Sequence, residues 1–396
     1  MNLNITSDTP IADSLKTKFW KELLKNTFGQ MVYNMFGKKA VIEKRGGKTV
    51  QFRRVGKFTP DLTPLTEGAA PTGRKIAVTT NVATVTQHGT VVDYTDMFDE
   101  ILYDNLIGEI IRETLPENAI ETLEKLAAAV YCAGTNIRYV AGDTRAALTA
   151  SNILTLAVVD LAVKTLKQAN APLINGKYIC IVGPEATYDI QQSADWKDPY
   201  KYANRTMGLY PSEIGMYKNV RFVESTYAHV FKHKGAGTGA LHTTLDAAAA
   251  AGQKVVPLAA TTGLVAGDVC QIRDASGYFE EEVVLASVSS GVSVTLVSNL
   301  TRAFAASDTF DKGDDVFAAL IFGKDAMGSV SLTGMRGGRV VGISSFEIIQ
   351  KALGSGGTSD PLNQVGTVSW KAAVAYIRLD EERMVRIEHG ATGETS

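Results

Sequence analysis

The residue types that could do chemistry in this chain are present, but their spacing assembles no reaction. Gly47-Lys48-Thr49 ends like a phosphate-binding loop. Ile42, however, stands where that loop needs its first glycine, and a basic strand follows where a helix is required. Gly235, Gly237 and Gly239 lack the dinucleotide-binding spacing and lead into an all-β stretch. No Gly-x-Ser-x-Gly nucleophile turn occurs. His229 and His233 lie four apart, but Val230-Phe231-Lys232 between them offers no general base and no third ligand is implied, so they read as surface residues at a loop edge. Cys132, Cys180 and Cys270 have no partner spacing and apolar neighbours, which predicts buried, inert thiols. The pairs and runs Asp314-Asp315 and Glu280-Glu281-Glu282 read as solvated carboxylates, and Glu381-Glu382-Arg383 as a turn. The expectation is therefore no catalytic residue, no metal and no cofactor.

Charges that could act between chains are more suggestive. Arg53 and Arg54 sit in an alternating stretch, and neighbours on a strand point to opposite faces. Two readings stay open: solvated charges on an edge strand, or a guanidinium that bridges to an acidic group of another chain. The chain has 396 residues and a net charge of −2, yet residues 1–76 alone carry +8. A basic first quarter on an acidic remainder suits a partner of opposite charge, either nucleic acid or a second copy. The near-neutral total argues against a dedicated nucleic-acid binder. At 45% hydrophobic and 21% charged, the composition excludes disorder and coiled coil as the main state. No apolar run approaches the ~18–20 residues of a membrane span. Residues 1–40 lack signal-peptide features, and an odd number of distant cysteines suits a reducing compartment.

The elements that would position these groups follow from periodicity. Residues 10–36 read as a helix with Trp20, Leu23, Leu24, Phe28 and Met31 on one face and lysines on the other, either a surface helix or an arm on a neighbour. Residues 49–57 and 76–92 alternate as strands. Between them, Thr59 to Lys75 holds Pro60, Pro64 and Pro71 and few large apolar groups, so it either stays in solvent or is held by something outside its domain. Residues 95–133 predict a helix roughly 50–55 Å long with a kink or break at Pro116. A helix over 153–169, a buried strand at 178–182, a helix begun by Gly183-Pro184 and a strand at 219–224 make the class α+β. Residues 236–312 read as a small acidic all-β insertion with strands at 254–259, 268–273, 279–286 and 292–298. A strand at 316–322, a helix near 345–352 and strands near 366–378 and 383–389 follow.

This order of elements, together with a series of short matches, resembles the major capsid proteins of tailed bacteriophages with the Hong Kong 97-like fold, and most nearly the coat proteins of podoviruses similar to coliphage N-four. The matches are Gly46-Gly-Lys-Thr-Val-Gln-Phe-Arg-Arg54, Thr63-Pro-Leu-Thr-Glu-Gly68, Pro71-Thr-Gly73, Ala133-Gly-Thr-Asn136, Leu166-Lys-Gln-Ala-Asn-Ala-Pro172 and Val220-Arg-Phe-Val-Glu224. They continue with Gly323-Lys-Asp-Ala326, Leu353-Gly-Ser-Gly-Gly-Thr-Ser-Asp-Pro-Leu-Asn363, Trp370-Lys-Ala and Met384-Val-Arg-Ile-Glu388. The resemblance implies an N-terminal arm (1–44), an extended loop (45–92), a peripheral domain with a spine helix (93–139 and 351–396), an axial domain (140–235 and 313–350) and the all-β insertion (236–312). It implies a non-enzymatic coat protein whose hexamers and pentamers close an icosahedral shell around double-stranded DNA, assembled in the host bacterial cytoplasm and residing in the virion capsid, with no membrane partner. A portal, a separate scaffolding protein and a decoration protein are the partners it suggests, the scaffold because the N-terminus is short. Candidate inter-subunit contacts are Arg53, Arg54, Lys57, Glu67, Arg74 and Lys75 in the loop and Trp20 and Phe28 in the arm. Some relatives crosslink a loop lysine to a neighbour's asparagine, but neither the acidic catalyst nor the acceptor is matched here, so that chemistry is not carried over. The insertion is either an exterior knob or brace between capsomers, or it stabilises only its own domain; its acidity favours the exterior. Two rival readings are a bacterial encapsulating compartment of the same fold and, from another class, an α/β enzyme with an unrecognised site.

Overall fold

The computed structural model describes residues 31–393 except 44–45, 57, 66, 69, 71–72, 102–113, 195, 197–211, 276, 278, 333–345 and 354–360. Elements are numbered in chain order. The central layer is a seven-stranded mixed sheet. Its main path runs β5 (Ile137–Tyr139), β20 (Met384–His389), β16 (Val316–Phe322), β6 (Tyr178–Val182), β8 (Val220–Glu224), β7 (Glu213–Tyr217), and β9 (Val230–Phe231) sits beside β16. β6, β16 and β20 are buried throughout, which is why they read as near-continuous apolar runs. Alternation splits them between two cores. Cys180 and Val182 face helices α4 (Leu156–Gln168) and α5 (Pro184–Gln192), while Ile179 and Ile181 face Ala127, Ala128 and Tyr131 of α3 (Leu115–Cys132). Gly183 and Pro184 start α5 as expected, and Asn170 takes a positive φ of 53° just after α4 ends.

A second sheet has β19 (Val365–Arg378) at its centre, antiparallel to β4 (Thr86–Thr95), β18 (Phe346–Lys351) and β17 (Met327–Leu332); β1 (Lys38–Ile42) adds parallel to β17. Leu115, Ala119 and Leu123 of α3 pack on Val368, Trp370 and Val374 of β19, and the Trp370 indole donates to Asn118 Oδ1 at 3.0 Å. β2 (Thr49–Val55) and β3 (Val78–Thr84) form a separate two-stranded ribbon.

The third sheet is ordered β10 (Leu241–Thr244), β15 (Thr309–Lys312), β12 (Val269–Arg273), β13 (Glu280–Ser289), β14 (Ser293–Leu296), β11 (Val255–Pro257). Just beyond its two edges Ala259 N donates to Thr244 O and Asp246 N to Pro257 O, so the sheet closes into a small barrel. Leu245, Val256, Ile272, Val283, Leu296 and Phe310 help fill its own core.

Several expectations are corrected. Residues 345–352 were expected to be helical, but β18 is a strand. Phe-Glu-Ile-Ile-Gln-Lys suits either state locally, and pairing with β19, including Glu347 opposite Lys371 at 3.3 Å, decides it. The strand expected over 76–92 is two strands that part at Val85, the first pairing in the ribbon and the second with β19. Pro116 lies in the first turn of α3, and a helical turn at Asp96–Ile101 (α2) comes earlier; residues 102–113, on which the expected long helix and its kink or break at Pro116 depend, lie outside the described residues. The segment 351–396 is shared between two sheets, since β20 pairs with β16 and β5 while β19 does not. Of the stretch 10–36 expected to be helical, only 31–36 fall among the described residues; they hold one helical turn at Tyr33–Phe36 (α1), followed by β1, which is built into this chain's own second sheet. Trp20 and Phe28 lie outside the described residues.

Candidate inter-subunit surfaces

The ribbon has two unlike faces because its register places odd residues of β2 opposite even residues of β3. One face bears Val50, Phe52 and Arg54 with Ala83, Asn81 and Thr79; the other bears Gln51, Arg53 and Val55 with Val82, Thr80 and Val78. The first lies on the molecule itself: Val50, Phe52 and Ala83 pack with Ile42, Val330 and Ala373. Arg54 donates to Asp380 at 2.6 Å and Glu382 at 3.5 Å, and the Asn81 amide donates to Leu379 O at 2.8 Å. The two adjacent arginines thus have different fates. Arg54 is engaged by its own chain, while Arg53 is exposed on the outward face.

The anchor is the tight turn between β19 and β20. Asp380 is buried and also takes Arg383 at 2.7 Å, and Arg378 pairs with Glu381 at 2.5 Å. This cluster was read from sequence only as a turn; its signal was three consecutive acidic residues, Asp380 to Glu382, between Arg378 and Arg383. Arg54→Ala is expected to leave the subunit folded but to loosen the ribbon. Limited trypsin digestion should then cut within 48–75 faster than in the unaltered chain, and an unchanged digestion rate would remove the anchor from the account.

Beyond Val55 and Val78 the tip is exposed. Leu62 and Leu65 are 91% and 80% exposed, and Glu67 and Lys75 also face solvent. Arg74 donates to Thr59 O at 2.5 Å and to Asp61 at 2.7 Å, and Asp61 also accepts from Thr63, which holds its carboxyl below the usual range. The tip is therefore cross-braced by its own residues. Lys57 lies outside the described residues.

The barrel joins the body through a crossing of two glycines. A Cβ on Gly313 would overlap the Gly235 carbonyl, and one on Gly235 would sit 2.7 Å from Leu148 O, so only glycine permits this approach. Of the acidic groups expected to be solvated, Glu280 and Glu282 are exposed, whereas Asp314 is buried and Asp315 and Glu281 are partly covered. Asp314 accepts from Ala150 N at 2.9 Å, Asp315 from His233 N at 2.7 Å, Glu280 pairs with Arg273 at 2.8 Å, and Glu281 accepts from Thr301 N at 2.8 Å. Lys232 reaches Glu282 at 3.4 Å, and Lys234 pairs with the buried Asp311. The histidines are not surface residues either. His233 is buried, and His229 packs edge-on against Phe231 at 4.4 Å, where burial and then the Arg273, Arg386 and Arg145 charges lower its pKa to about 4. All three cysteines are buried, and burial raises Cys132 and Cys270 to about 12.

Two buried carboxylates hold the body together. Glu388 receives both prongs of Arg145 at 2.7 Å and Arg386 at 2.8 Å, with the two guanidinium groups over the Phe231 ring. Glu124 on α3 is fully buried and accepts Tyr33 N at 2.6 Å, fastening α1 to the helix. Burial raises its pKa to about 7, against the opposing backbone hydrogen bonds. The folded chain therefore binds this proton more tightly than the unfolded chain, so Glu124 makes stability fall as pH rises between about 4.5 and 7. Glu124→Gln should remove that slope and raise the urea midpoint at pH 8 but not at pH 4; equal midpoints at pH 8 would count against it.

Among the described residues no group of His, Cys, Asp and Glu is arranged to hold a metal ion, and no helix is long and apolar enough to cross a membrane. Residues 127–263 match a family model described as phage capsid protein. The whole fold is similar to solved capsid subunits of Ralstonia phage GP4 (TM-score 0.59, 12% identity, 100% of both chains), cyanophage Pam1 (0.57, 11%, 98% of this chain and 100% of that one) and cyanophage P-SCSP1u (0.56, 14%, 98% and 97%). The fold is that of a phage capsid subunit. No curated protein matches the sequence. The ribbon has one face seated on its own body and the other presented outward.

Proposed function

We propose that copies of this coat protein close an icosahedral shell around double-stranded DNA, as hexamers and pentamers, and that its role is structural rather than catalytic. The observation that carries this reading is the ribbon, clamped to its own subunit on one face while Val55, Val78, Val82 and Arg53 stand exposed on the other. A protruding pair of strands with β-branched groups facing water is costly for an isolated subunit and useful for one that docks on a neighbour. The stiffness supplied by Pro60, Pro64 and the Arg74–Asp61 pair reduces the entropy lost on docking. Each contact can be modest because several neighbours hold every subunit. Of the candidate contact residues, Arg53, Glu67, Arg74 and Lys75 remain positioned for this role, with Arg74 acting through the brace of the tip. The seven-stranded sheet corresponds to the axial domain and the β19 sheet with α3 to the peripheral domain.

Electron microscopy of the purified, expressed chain tests the reading: shells or ring-shaped capsomers are expected, and a persistent monomer at high concentration would overturn it. Arg53→Glu should lower particle yield most at low salt while leaving subunit melting unchanged. Yields equal to the unaltered chain at low salt would remove Arg53 from the interface.

A further inference from the structure

A ribbon that docks on a neighbour needs a receiving surface, and the barrel carries one of matching chemistry. On β12, Cys270 and Ile272 enter the barrel core, which leaves Val269, Gln271 and Arg273 facing outward; on β13, Val283 and Leu285 enter it, which leaves Glu280, Glu282 and Val284 outward. Part of this outer face is covered by the chain's own body, where Gln271 and Asp311 are buried and Lys232 and Lys234 approach. The rest faces solvent and is lined with valine. Val269 lies directly opposite Val284, and Val297 N donates to Val284 O. Val255 pairs with Thr295, two residues before Val297 on the same side. Val255, Val269, Val284 and Val297 are 53%, 38%, 38% and 55% exposed. They come from, or directly continue, four adjacent strands, so they form one row rather than scattered exposures. Glu282, half exposed, stands on the same face two residues from Val284.

The outward face of the ribbon has the complementary pattern. Val55 and Val78 lie opposite each other, Val82 follows on the same face, and Arg53 stands among them. Residues 236–312 carry net −4 and residues 1–76 net +8. Because the barrel closes on itself, it offers no strand edge in this region, so the contact must be face to face rather than by strand addition. We propose that this valine row is the seat for the outward face of a second copy's ribbon, with the second copy's Arg53 reaching Glu282. This rests on the coat-protein reading and names the surface that reading requires.

The full-length chain carrying Val82→Cys and Val284→Cys, assembled and then treated with a short bis-maleimide, tests it. The natural cysteines are buried and should not react in intact shells. A ladder of covalent multimers is expected in the shell fraction, absent from either single variant. Val284→Lys should abolish shells without shifting subunit melting, and the crosslink decides alone should that variant fail to fold. Shells without a ladder overturn the proposal, as does a ladder from Val82→Cys alone, which would set ribbon against ribbon, or a bound protein of another kind found on the valine row. If the unaltered chain forms no shells, the coat-protein reading itself fails and the docking site with it.

Discussion

A chain in which residues 59–75 are replaced by a short glycine linker is expected to fold normally and to form no closed shells. The folding half of this expectation follows from where the loop's bonds go. Among the described residues, the polar contacts of the tip run between Thr59, Asp61, Thr63 and Arg74, all within the deleted stretch. The last rung of the ribbon, Gly56 N to Ala77 O, lies outside it and is retained. The shorter loop lowers the closure entropy, so subunit stability should hold or rise by about 1 kcal/mol. The assembly half follows from the exposed apolar groups that are lost, Leu62 and Leu65, which the proposed docking would bury on another subunit. Chemical denaturation of the subunit and electron microscopy of the same preparation measure the two halves. Normal particles would show that the tip is dispensable; an unfolded subunit would show that it is structural.

The second large effect is expected at Glu388. Glu388→Ala leaves Arg386, only 5% exposed at its side chain, without its carboxylate and frees Arg145 from a two-pronged contact. Breaking a buried ion pair from one side typically costs about 3–5 kcal/mol, because the remaining charge stays buried. The change should appear as a large fall in the urea midpoint of the subunit. Replacing both partners, as Glu388→Leu with Arg386→Met, should cost less than Glu388→Ala, since no orphaned charge is left. A loss under about 1 kcal/mol for the single variant would mean that water enters and solvates the guanidinium group.

Much of the fold was legible where local patterning and tertiary pairing agree. Tyr178 to Val182 is a short, wholly apolar run beside a glycine and a proline, and it is a central strand. The barrel strands at 255–257, 269–273, 280–289 and 293–296 fall within or near the stretches that turn residues marked off; β10 and β15 were missed because four polar-rich residues each carry little periodicity. The site was less legible. Adjacent arginines on a strand must face opposite ways, but which of them meets its own chain depends on Asp380, more than 300 residues later. The solvated reading failed for Asp314 and Asp315 because their partners (Ala150 N, His233 N) arrive from other segments.

From the residues alone came the α+β class, the burial of the three cysteines, the absence of a familiar catalytic spacing and the contrast of a basic first quarter with an acidic remainder, because composition and short-range periodicity suffice for these. Tertiary structure alone decided that Phe346 to Lys351 is a strand, that the β10–β15 sheet closes on itself, that Arg54 is spent inside the subunit while Arg53 is left facing out, and that valines from adjoining strands line up beside Glu282. Those outcomes depend on pairing between strands far apart in sequence, and for the last two a shift of one residue in register would exchange the faces and undo them.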